Sequence, residues 1–143
     1  MIFQRLIIAV SISILALTLS ACNESAVDDE QLKQAVASGN EIVKALEFYK
    51  EQKNDLPKSL DELVSIKLLQ SIPESGIEGR RFRYVRFNPK EKLEFRISLG
   101  LSKPSIVSNK ITELTFRSDG KYKGDKVEVH KLINGWAIQT VYR

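Results

Sequence analysis

The hydrophobic period of the chain changes once, near Gly79, and that change constrains the fold more than any other feature. Before it, between Glu30 and Lys53, the apolar residues are Leu32, Ala35, Val36, Ile42, Val43, Leu46 and Tyr49. Steps of three and four gather them into one stripe along a helix. Ser38-Gly39-Asn40 weakens the middle of that stripe and marks the place for a kink. Asp28 or Asp29 can cap the helix start, and Asn54-Asp55 ends it. Leu56-Pro57 forces an extended step, because the residue before a proline avoids helical backbone. Ser59 and Glu62 have the spacing of a capping box. They open a short second helix with Leu60, Leu63, Val64 and Leu68 on its buried face, ended by Ile72-Pro73. Residues 75–79 read as a flexible loop.

Beyond Gly79 apolar and polar residues alternate, the period of a strand. Segments 80–87 and 92–99 flank the turn Asn88-Pro89-Lys90-Glu91. Pairing Phe87 with Lys92 sets Tyr84 opposite Phe95 and Phe82 opposite Ile97. One face then collects Phe82, Tyr84, Leu93, Phe95, Ile97 and Leu99; the other collects Arg81, Arg83, Lys92, Glu94 and Arg96. An irregular connection with Pro104 leads to a strand over 111–117, with Leu114 and Phe116 inward. Asp119-Gly120 turns the chain, and Tyr122 is left open between a short strand and a connection. Segments 127–133 and 136–142 flank Asn134-Gly135, a dipeptide that suits two-residue hairpin turns. Val127, Val129 and Ile133 share a face there with Trp136, Ile138 and Tyr142. The expected fold class is α+β: a long and a short helix packed on an antiparallel sheet of four or five strands.

The N-terminus is of another kind. Arg5 is the only charged side chain before Cys22, and residues 6–19 are apolar or small except for Ser11, Ser13 and Thr18. A membrane span needs about 20 apolar residues, so this is the layout of a secretory signal. Leu19-Ser20-Ala21-Cys22 resembles the lipobox of bacterial lipoproteins. The resemblance implies cleavage between Ala21 and Cys22, and acyl chains on Cys22 that hold the protein to a membrane. Each buried CH₂ contributes about 0.8 kcal/mol, and two or more chains give stable anchoring. The alternative is an N-terminal transmembrane helix with an incidental cysteine. The domain plan is a signal peptide over 1–21, an acidic tether over 22–29 and one globular domain over 30–143. In Gram-negative lipoproteins an aspartate after the cysteine favours the inner membrane; Asn23 implies the outer membrane, facing the periplasm.

Cys22 is the only cysteine, so no internal disulfide is expected and a packed core must supply the stability. The core would come from roughly 120 residues, a usual size for one domain. A net charge of +4 is mild and falls short of a nucleic-acid signature. The apolar stripes can face each other without a partner, so a monomer is expected.

A second resemblance lies in the domain. Ala45-Leu46-Glu47-Phe48-Tyr49, Leu56-Pro57-Lys58-Ser59-Leu60-Asp61-Glu62-Leu63, Ile72-Pro73 and Phe82-Arg83-Tyr84 are similar to the headpiece of type IV pilins and type II secretion pseudopilins. That family has a long helix, an aromatic-Pro-x-Ser-Leu-x-x-Leu segment, a later proline and an antiparallel sheet. Leu56 stands where the family prefers tyrosine, and a lipobox stands in place of the pilin cleavage site. The resemblance implies a pilin-like head on a lipid anchor, not a polymerising pilin.

Candidate chemistry is sparse. His130 is the only histidine and sits opposite Gln139 in the expected register, which suits solvation. The serines lack the companions of a nucleophile. Asp28, Asp29, Glu30, Asp61 and Glu62 sit at helix starts, where the helix dipole favours anions. No enzyme, metal or cofactor is expected. Arg80, Arg81, Arg83, Arg86, Lys92 and Arg96 form the sharpest cluster, and Arg81, Arg83, Lys92 and Arg96 share one hairpin face. Guanidinium forks suit phosphates and carboxylates, so such a face fits lipid head groups, lipopolysaccharide phosphates or an acidic partner protein; the alternative is an ordinary solvated sheet face whose edge charges discourage aggregation. The expected function is a lipid-anchored envelope interaction or assembly module with an envelope protein partner, linked to a secretion or pilus system. The alternative is a periplasmic lipoprotein binding a small ligand or glycan between helix and sheet.

Overall fold

A computed structural model describes residues 27–88, 91–102 and 108–143. The signal segment, Cys22, Asn23, most of the tether, Pro89-Lys90 and Pro104 lie outside the described residues.

Helix α1 spans Asp29–Lys53. The Asp28 carboxylate accepts the Gln31 N–H at 2.7 Å, and the Gln31 side chain accepts the Asp28 N–H at 3.2 Å. Two otherwise unpaired donors of the first turn are thus satisfied. Asn54, left-handed at φ 49°, ends the helix. The helix runs unbroken through Ser38-Gly39-Asn40. Gly39 serves packing. A Cβ there would stand 2.5 Å from Trp136 Cη2, so only glycine lets the indole lie against the helix. Next to it, Asn40 Oδ1 accepts the Trp136 Nε1–H at 2.8 Å.

Helix α2 spans Leu60–Ser65 and differs from expectation at both ends. Ser59 is the N-cap, but its side chain makes no capping bond. Glu62 accepts the Lys58 N–H at 2.8 Å and the Tyr49 hydroxyl at 2.7 Å, so the carboxylate that was to close a capping box ties α2 to α1. The helix stops well before Ile72-Pro73. Lys67 turns left-handed at φ 62°; its N–H bonds to the Val64 carbonyl and the Leu68 N–H to the Leu63 carbonyl. This is a Schellman ending with lysine where glycine is usual. Residues 75–79, expected as a flexible loop, close on themselves. The buried Ser75 hydroxyl accepts the Ile77 N–H and lies 2.9 Å from the Arg80 carbonyl, to which it donates.

Five antiparallel strands follow: β1 Arg83–Phe87, β2 Glu94–Gly100, β3 Lys110–Arg117, β4 Val127–Ile133 and β5 Trp136–Tyr142. Their order is β1-β2-β3-β5-β4, which makes β1 and β4 the edges. The fold is α+β, as the change of period predicts. The β1–β2 register is offset by two residues from the expected one: Tyr84 faces Ile97 and Phe87 faces Glu94, because the connection is longer than four residues. An even offset leaves every side chain on its expected face.

The last hairpin departs in a different way. A bulge between Val129 and Lys131 places Val129, not His130, opposite Gln139. An extra residue reverses the alternation on one side of the bulge. Ile133 therefore keeps the face of Trp136, while Val127 and Val129 take the opposite face, with Val141 and Gln139. Tyr122 lies in no strand. Its hydroxyl donates to the Gly135 carbonyl and accepts the Arg117 N–H, pinning the β3–β4 connection to the β5 turn.

The core lies between α1 and one face of the sheet. Ile42, Leu46, Leu56, Leu63, Phe95, Ile97, Leu114 and Trp136 form one buried cluster. Phe116 and Phe82 flank the indole, with ring centroids 5.5 and 6.3 Å from it, within the favourable range for tilted aromatic pairs. Tyr84 and Arg86, on the same face of β1, donate to the Pro57 and Leu56 carbonyls at 2.9 and 3.1 Å. The Leu56-Pro57 step is thereby fastened to the hairpin.

Candidate functional site

The opposite face of the sheet carries the charge. Strand registers place Arg83, Val85 and Phe87 of β1 there, with Glu94, Arg96, Ser98 and Gly100 of β2. Glu113, Thr115 and Arg117 of β3 and Gln139 of β5 continue it. Glu113 is its hub. One carboxylate oxygen accepts from Thr115 Oγ1 at 2.9 Å and Gln139 Nε2 at 3.0 Å; the other accepts from Arg83 Nη2 at 3.0 Å. Arg83 reaches Glu113 across β2, where Ser98 and Gly100 leave little to obstruct it.

Glu94 and Asp119 have carboxyls held below their usual range. Burial alone would raise the Glu94 carboxyl, but Ser118 at 2.5 Å, with Lys92 at 3.3 Å and Lys50 at 3.7 Å, keeps it below the usual range. Arg117 grips Asp119 with two bonds of 2.9 and 2.8 Å and holds its carboxyl low. The same guanidinium lies 4.8 Å from the centre of the Phe87 ring, a cation–π contact. Arg96 Nε and Gln139 Oε1 are buried and have no hydrogen-bond partner among the described residues.

The four cations expected on one hairpin face do not meet as a single group. Arg83 and Arg96 stand on it, Arg83 engaged with Glu113 and Arg96 without a partner for its Nε among the described residues. Arg81 precedes β1, and Lys92 precedes β2 at the other end of the hairpin. At about 3.3 Å per residue the two ends are roughly 20 Å apart. Arg86 belongs to the core face, 3.9 Å from Asp55. Arg80 joins Arg81 and Arg83 at a cleft with Gly100, Ile111 and, unexpectedly, Arg143. His130 Nε2 lies 2.8 Å from Thr140 Oγ1.

No protein-family model, curated protein or solved structure matches this chain. Function therefore rests on the chemistry of its own residues. Among the described residues no group of three or more His, Cys, Asp or Glu is placed to hold a metal, and no helix is long and apolar enough to cross a membrane. Two larger hollows, of about 700 and 680 Å³, lie inside residues 72–82 and between α1 and residues 68–73. Neither has walls from both a helix and a strand.

Sequence reasoning missed Glu113 and Arg143. Glu113 interrupts an otherwise β-prone strand, and that oddity is a readable signal. Arg143 reaches the cleft only because β5 pairs with β3, an order that no local pattern announces.

Proposed function

We propose that the protein is a lipid-anchored module of a bacterial envelope, without catalytic activity, that docks an anionic partner through the guanidinium groups of its first hairpin. The observation that carries this reading is the uneven pairing of its cations. Arg83, Lys92 and Arg117 each have a carboxylate partner, while Arg81 and Arg96 have none among the described residues. Unpaired guanidinium forks, one on the sheet at Arg96 and one just before β1 at Arg81, are ready-made ligands for carboxylates and phosphates. Leu19-Ser20-Ala21-Cys22 supplies the anchor, and the likeness of roughly residues 30–99 to pilin and pseudopilin heads supports a role in a secretion or pilus assembly.

The test separates anchor from face. Cys22→Ser should yield an uncleaved precursor without lipid by intact mass. Replacing Arg81, Arg83 and Arg96 with Gln should leave lipidation and membrane fractionation intact but abolish co-purification of the envelope partner. That co-purification should weaken with salt, since attraction is screened over about 8 Å at physiological ionic strength. A triple variant that keeps every association at low and high salt would falsify the docking role.

A further inference from the structure

One end of the sheet gathers cations around an open floor. Arg80 and Arg81 lead into β1, Arg83 begins it, and Arg143 follows β5. With Gly100 and Ile111 they line a cleft of about 230 Å³. Among the described residues no carboxylate pairs with Arg80, Arg81 or Arg143, and Arg83 alone is held, by Glu113. We propose that this cleft binds a phosphoryl group, either free phosphate or the phosphate of a lipid head group. The proposal rests on the docking reading above and narrows it to one ligand chemistry.

Three features support it. The first is preorganisation: the bond to Glu113 fixes the Arg83 guanidinium, whose remaining N–H donors are still available for a ligand. The second is the floor. A Cβ on Gly100 would meet only the Ser102 carbonyl, 4.0 Å away, and Gly100 is not in the left-handed region that calls for glycine. Its missing side chain leaves room that the backbone does not require. The third is stoichiometry. A carboxylate offers two oxygens, whereas a phosphoryl group offers three or more strong acceptors, a better match for a cleft lined by four arginines. A water occupies about 30 Å³ of liquid, so the cleft has room for a tetrahedral oxyanion and several waters.

The experiment uses the full-length protein in non-ionic detergent, titrated calorimetrically at constant chloride. The probes are inorganic phosphate and glycerophosphoglycerol, the acyl-free head group of phosphatidylglycerol. Saturable binding of either supports the site, and the tighter probe names the source. Arg80→Gln and Arg81→Gln should each weaken binding about tenfold, in line with loss of one charged hydrogen bond. Gly100→Asp sets a carboxylate on the floor and should abolish binding, while Gly100→Ala keeps it; melting curves confirm that each variant is folded. Absence of saturable binding of both probes overturns the proposal, as does a folded Gly100→Asp variant that binds like wild type. If the probes fail while partner capture by Arg81, Arg83 and Arg96 persists, the phosphate site falls and the docking face stands. Saturable probe binding without partner capture does the reverse.

Discussion

Toward α1, the sheet buries Trp136, Phe95, Ile97 and Leu114, each at most 1 % exposed; on its reverse, Glu113, Thr115, Ser98 and Gln139 are each at most 5 % exposed. The first group is covered by a helix and held by loss of apolar surface to water. In the second, Glu113, Thr115 and Gln139 are held by hydrogen bonds converging on one carboxylate, with Arg83 drawn across β2 to reach it. Equal burial thus has two physical origins, which fail differently. An apolar face loses stability in proportion to the volume removed. A polar face loses it when one partner goes and leaves the others buried and unpaired.

The largest effect should come from the helix side. Trp136→Ala should cost about 3–5 kcal/mol in urea unfolding, the range for large aromatic truncations. A near-zero change would show that α1 is not the cover on which that face depends. On the reverse side, Glu113→Ala should cost about 2–3 kcal/mol, because it strands Gln139 and Thr115 and frees Arg83. A cost close to zero would mean that the hub is dispensable and the two faces are not alternatives. Gly39→Ala returns to the seam between α1 and the indole. Overpacking costs typically about 1–3 kcal/mol and better helix propensity returns up to about 1, so a net loss of about 1–2 kcal/mol is expected by the same measurement. A stabilised variant would show that the seam has slack.

The smallest effect is electrostatic. Arg117 holds the Asp119 carboxyl below its unfolded value, so the pair's contribution is fully present above about pH 4 and is lost as pH falls through the lower, folded value. Asp119→Asn should remove under about 1 kcal/mol at neutral pH and flatten stability against pH on the acid side. An unchanged acid limb would place the acid sensitivity at Glu94 or Glu62, both also held low.

Much of the helix-facing side was legible in the sequence. The apolar stripe of α1, the alternation of β2 and β3 and the Asn134-Gly135 turn are local patterns, and they survived a two-residue error in register because the error was even. What was not legible depended on residues out of their usual roles. Lys67 ends a helix where glycine would have signalled the stop. His130 adds a residue that reverses the alternation of β4. Gly39 reads locally as a weak point, yet is needed by a ring 97 positions away. The candidate site was readable as a list of arginines but not as a place, because the β3–β5 pairing that brings Arg143 to the cleft is not local.

Trp136 is the only tryptophan in the chain, fully enclosed and bonded through its indole nitrogen to Asn40 of the helix. Its fluorescence is therefore a built-in gauge of one event, the seating of α1 on the sheet. Emission should shift to the red when the helix lifts away, even if the strands stay paired. Comparing that signal with the far-ultraviolet circular dichroism of the same sample would time helix release against loss of the sheet, with no label added.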